Sequence, residues 1–174
     1  EYKQYVRRAR GEDLSDIEAL NLVYQNGVDN LGRPIVMFVA SHLPATTVDM
    51  DRVLLYLIKV MDPIVERPYV MIYLHSNIGD ENRPELSWLR RMFQLLDRKY
   101  KKNVQHIYVV HPSFWVKLVF WFLTPFISNK FWRKLVYVDR VSDLHAIAPH
   151  LELPESILRF DHAFNNDSWT SSVG

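Results

Sequence analysis

Two histidines close apolar runs that read as β-strands, and a serine follows each within two residues: His75 in YLHS and His111 in VVHPS. Imidazole exchanges protons near neutral pH and is the commonest metal ligand. Ligands of open α/β sheets gather at the carboxyl ends of strands. A catalytic or metal-binding pair is therefore one reading. Nothing nearby completes it: there is no H-x-x-x-H pair, and no acidic residue stands at a spacing that would finish a zinc ligand set. Cysteine is absent, which removes thiolate sites and disulfides together. Ser76 and Ser113 lack the G-x-S-x-G elbow that presents a nucleophile. The competing reading is a pair of histidines hydrogen-bonded to loop backbone, and neither serine is taken as a nucleophile.

Glycine excludes more. The five are Gly11, Gly27, Gly32, Gly79 and Gly174, and no G-x-G-x-x-G turn can be written. Gly27 and Gly32 have P-loop spacing, but Arg33 and Pro34 follow where Lys and Ser or Thr are required. A net charge of +1 argues against a broad nucleic-acid surface. The 174 residues suit one domain that buries about 70% of its unfolded surface. No secretory signal opens the chain, and Glu1 in place of Met suggests a segment of a longer polypeptide.

The elements that must position these residues alternate. Residues 1–28 are charged and read as an N-terminal helical segment, with Asp13 or Ser15 capping a helix through Ile17, Leu20 and Tyr24. NGVDNLGRP reads as turns. PIVMFVA (34–40), YVMIYLH (69–75), VQHIYVVH (104–111) and LVYVD (135–139) have the β-branched and aromatic content of buried strands. Between them the pattern predicts helices over 48–66, kinked at Pro63, and over 85–102. A short capped helix is expected over 142–150. Strands joined by helices imply right-handed crossovers and a largely parallel sheet. One α/β domain over residues 29–162 is expected, with 163–174 a disordered polar tail.

One stretch is unusual, HPSFWVKLVFWFLTPFISNKFWRKLVY (111–137). As a helix its apolar side chains cover nearly the whole circumference, with Lys117 and Thr124 the only polar strip. Such a helix is buried in a core or faces a bilayer. At about 13 residues it is shorter than the roughly 20 that span a membrane. Lys130, Arg133 and Lys134 follow it, where they either meet an anionic membrane surface or are simply solvated. Two further basic groups are Arg7, Arg8 and Arg10, near the start, and Arg98, Lys99, Lys101 and Lys102, which read as a solvated helix end complementing the helix dipole.

The ordered set DNLGRPIVMFVASHLP, YVMIYLH, DRKYKKN and HIYVVHPSFWVKLVFWFLTPFISNKFWRKLVYVD resembles the CRAL-TRIO lipid-binding domain, and more narrowly its BCH-like branch, over about residues 2–162. The resemblance implies a mixed, mostly parallel sheet flanked by helices, with a hydrophobic cavity closed by a gate helix over 113–126. It implies no chemistry on the ligand and no cofactor, only a bound phospholipid or other hydrophobic small molecule. Phe114, Trp115, Leu118, Val119, Phe122 and Phe126 are the implied gate and pocket residues. Tyr73, Tyr108 and Val110 are strand candidates, with the inward sheet face left open. Lys130, Arg133 and Lys134 are the implied basic surface, Ser128, Lys130 and Lys134 matching an S-x-K-x-x-x-K-like pattern. The resemblance further implies a cytoplasmic protein peripheral at membranes, and an upstream macro domain. It also allows a protein-interaction scaffold that self-associates or binds a Rho-type GTPase. A hydrolase using His75 or His111 is the third expectation.

Overall fold

The apolar runs pair into one five-stranded sheet of order β1-β2-β3-β4-β5: β1 (Val23–Val28), β2 (Pro34–Val39), β3 (Tyr69–Leu74), β4 (Val104–Val110) and β5 (Leu135–Val138). The computed structural model describes residues 1–171. Its helices are α1 (Tyr2–Gly11), α2 (Ser15–Glu18), α3 (Met50–Met61), α4 (Leu86–Leu95), α5 (Arg98–Asn103), α6 (Phe114–Leu123), α7 (Asn129–Trp132) and α8 (Glu155–Ser171). β1 and β2 form an antiparallel hairpin, and β2 through β5 are parallel.

Parallel neighbours in sequence order need crossovers that all step the same way. With one handedness, those connections fall on one face of the sheet. That face carries α1 to α5 and α7, packed on Val36, Tyr69 and Val104, with α6 set against α4 above it. The other face holds Met37, Ile72, Leu74 and Val110, covered by the returning chain from Val141 to Ile157. Alternation along each strand sorts the side chains: Phe38, Tyr73 and Val109 stand in register on the helix face, and Met37, Ile72 and Tyr108 on the other.

The β1–β2 turn explains the D-x-x-G-R-P sequence. Asp29 is buried, and its carboxylate accepts from the Leu31 and Arg33 amides at 3.0 and 2.9 Å and from Arg33 Nε at 2.8 Å. Gly32 sits at φ +75°, a conformation that glycine adopts without strain. Burial alone would raise the Asp29 carboxyl, but these bonds outweigh it and hold it below the usual carboxylate range. Asn30 extends the tip to the C-terminal segment, donating its amide to Ile147 O and its side chain to Ala146 O.

Several elements differ from the sequence expectation. The predicted helix through Tyr24 is only α2; β1 replaces its second half, because antiparallel pairing to β2 tolerates the polar Gln25-Asn26-Gly27 stretch on an edge strand. α3 ends at Met61 before Pro63 instead of kinking through it. The expected helix over 85–102 is broken at Leu96, which is extended (φ −60°, ψ 130°), and restarts where the Asp97 side chain accepts from the Lys99 amide at 3.1 Å. The expected helix over 142–150 is a 3₁₀ turn, Val141–Ala146. The segment expected to be a disordered tail from residue 163 continues α8 as far as Ser171, and residues 172–174 lie outside the described part.

Candidate functional site

α4 and α6 do not pack flat on the sheet. Val119, Leu123 and Ile127 form a hydrophobic cluster of their own with Leu86, Leu89, Phe93 and Phe131, separate from the main core. Between this lid and the sheet lies an apolar cavity of about 260 Å³. Phe38, Met71, Tyr73 and Val109 form its floor, Trp88, Leu89, Met92 and Phe93 one wall, and Trp115, Val116, Val119 and Phe120 the other. The void explains why α4, although amphipathic, has no fully buried residue. Its apolar side chains border empty space where a core partner would otherwise stand.

The start of α6 is tied to the strand ends. Ser113 occupies the N-cap without making a capping bond, because its hydroxyl lies 2.6 Å from His75 Nε2. His75 Nδ1 lies 3.1 Å from the hydroxyl of Tyr73 on the cavity floor. The imidazole stacks on Trp115 (5.9 Å between ring centroids, 7° between planes), and the Arg83 guanidinium stands 5.6 Å from the Trp115 ring. Burial, assisted by the Arg83 charge, pushes the His75 pKa down to about 4, so the ring is neutral at pH 7. Burial likewise pushes the Tyr73 hydroxyl up.

His111 closes a second connection. Its Nδ1 lies 2.5 Å from Ser76 Oγ and its Nε2 2.8 Å from Asp161 Oδ1 on α8. Each histidine thus binds the serine that follows the other, an arrangement unlike bonding to loop backbone. Ser76, His111 and Asp161 form a hydroxyl–imidazole–carboxylate line of the kind hydrolases use. Ser76 is 0% exposed and His111 3%, and neither borders the cavity, so no substrate reaches the hydroxyl. Asp161 also accepts from the Val141 amide at 3.0 Å, so the line fastens α8 and the turn after β5 to the sheet. Among the described residues no group of three or more acidic or histidine side chains is arranged to hold a metal ion.

The gate residues named from the sequence separate by helical face. Trp115 and Val119 line the cavity, as does Tyr73. Phe122 is half-buried in the lid cluster. Phe114 (82% exposed), Leu118 (39%) and Trp121 (74%) form an outer stripe at i, i+4 and i+7. Phe126 is also at the surface, under the Arg90 guanidinium at 5.0 Å. Tyr108 and Val110 differ from the expectation: strand alternation turns them to the opposite face, and Val109 and Ile107 line the cavity in their place. Of the basic group, Lys130 and Arg133 are exposed. Lys134 is half-buried, and its Nζ donates to Lys101 O at 2.7 Å and Lys102 O at 3.1 Å, closing the end of α5. Trp88 and Met92 escaped the sequence reading, because a cavity wall and a core leave the same apolar spacing on a helix.

A mostly parallel sheet with a greasy cavity under a helical lid defines a lipid-binding kind of module. The family model described as the divergent CRAL/TRIO domain matches residues 32–163, and the chain belongs to that family. It is similar to the Rho GTPase-activating protein gacY of Dictyostelium discoideum, 43% identical over 91% of this chain and 22% of that protein. It is also similar to the GDAP2 homolog of Drosophila melanogaster (40% identical, 94% of this chain, 31% of that one). Ganglioside-induced differentiation-associated protein 2 of Xenopus tropicalis is 38% identical over 98% of this chain and 35% of its own. The chain thus spans about a fifth to a third of these relatives' lengths. The crystal structure of Sfh5 shares the fold at a TM-score of 0.64 and 12% identity, covering 82% of this chain and 55% of that one.

Proposed function

We propose that this chain is a non-enzymatic binding module for a hydrophobic ligand, with α6 as the gate over the cavity and its outer stripe as a membrane-surface contact. One observation carries the reading: α6 has a void on one side and uncovered aromatics on the other. Leaving large apolar side chains in water forfeits about 1.5–3 kcal/mol each, so the stripe is expected to meet a bilayer or a partner. Lys117, Lys130 and Arg133 lie on the exposed surface of the same segment, and each cation near an anionic leaflet adds about 1 kcal/mol. Among the described residues no helix is long and apolar enough to cross a membrane, which fits a peripheral contact.

Filling the cavity tests the reading. Met92→Trp adds an indole to the wall; with the melting temperature held or raised, uptake of a fluorescent acyl probe should fall at least about tenfold. A stable Met92→Trp protein that takes up the probe as the parent does would refute the pocket assignment. A second reading, a scaffold that binds a Rho-type GTPase or a second copy, draws on the name of the gacY relative. Its docking element would be the same outer stripe or the basic N-terminal segment with Arg7, Arg8 and Arg10.

A further inference from the structure

The cavity has a charged wall residue that an apolar ligand would not require. Lys101 on α5 lines the cavity, and its Nζ lies 4.1 Å from the centroid of Phe93, another wall residue. Its neighbour on the helix is committed elsewhere: Lys99 pairs with Asp62 at 2.8 Å and Glu66 at 2.6 Å. Among the described residues Lys101 has no carboxylate partner. Burial lowers its pKa with no neighbouring charge to offset the loss. An aromatic face compensates a cation by about 0.5–2 kcal/mol, less than a charge-assisted bond to an anion supplies.

Size narrows the ligand further. About 260 Å³ lies below the roughly 300–1,000 Å³ of typical small-molecule sites. The lining nevertheless runs the length of β4 from Val104 to Val109, roughly 17 Å at 3.3 Å per residue. That volume spread over that length leaves width for one acyl chain, not two.

We propose that the ligand is a single-chain amphiphile with an anionic head, its charge met by Lys101 at the α5–β4 end and its chain running toward Tyr73 and Trp115. The proposal rests on the cavity being the ligand site, as argued above. A carboxylate and a phosphate monoester share this chemistry, and the test separates them. The delipidated protein and Lys101→Met are titrated with palmitate, 1-palmitoyl lysophosphatidate, hexadecanol and dipalmitoylphosphatidylcholine, following fluorescence of wall residues Trp88 and Trp115, with complexes weighed by native mass spectrometry. At least one anionic amphiphile should bind about tenfold or more tightly than hexadecanol. Lys101→Met should abolish that preference, keep hexadecanol binding and leave the melting temperature within about 2 °C. Equal affinity for hexadecanol and both anions, or a preference that survives Lys101→Met, overturns the head assignment and leaves the cavity reading standing. Tighter binding of the two-chain lipid overturns the single chain. No binding of any of the four removes the cavity reading itself.

Discussion

His75 is 2% exposed and neutral at pH 7, held between Tyr73, Ser113 and Trp115 at the root of α6. Its folded pKa of about 4 lies below the ordinary histidine value of 6.5. Below pH 6.5 the unfolded chain therefore takes up a proton that the folded chain refuses. Stability is unaffected by this group above that range and falls as pH drops from 6.5 toward 4, by up to about 3 kcal/mol. Urea titrations across that window should show a shallower decline for His75→Gln than for the parent; parallel declines would contradict the assignment. The histidines were legible in the sequence as residues at strand ends, but their partners were not. Which serine meets which imidazole is decided by the β3–β4 register, and Asp161 arrives from a helix 50 residues further on. Lys101 was illegible for a related reason. In a run of four cations in five residues, only the fold distinguishes the one at a cavity wall from those in ion pairs or solvent.

The all-round apolar character of α6 follows from its three surroundings. Val116, Val119 and Leu123 are buried where the lid cluster meets the cavity, Trp115 and Phe120 border the cavity at its sides, and Phe114, Leu118 and Trp121 face outward. The sequence reading left core and membrane interface open; the helix is buried along its inner face and uncovered along its outer one, and the proposed function assigns that outer face to a bilayer. Trp121→Asp should cost at least about fivefold in binding to anionic liposomes while changing stability by no more than about 0.5 kcal/mol and leaving acyl-probe uptake intact. Unchanged liposome binding would turn the stripe toward the scaffold reading, which light scattering for a dimer or GTPase capture lost in the same variant would then support. α4 shows why cavity walls are hard to read: Trp88, Leu89, Met92 and Phe93 repeat as core residues would. Whether such a stripe meets side chains or a void depends on how far the facing helix stands off, which no spacing encodes.

At the scale of the molecule, the four parallel strands and the segments between them were legible because buried strands are continuous β-branched runs and their crossovers have one hand. β1 was missed because an edge strand is half solvated and its Asn-Gly pair reads as a turn. The side chains lining the cavity could be assigned only once the strand faces were known, which is why Tyr108 and Val110 fell on the wrong one. The consistent result is a sheet sealed on one face by the C-terminal segment and left with a roofed void on the other. The proposed function requires the void to hold a lipid. The direct measurement is native and organic-extract mass spectrometry of the protein purified without added detergent. One apolar or amphipathic molecule per chain, absent from Met92→Trp, is the predicted result. A parent protein that is folded, empty and unable to take up any acyl amphiphile would contradict it.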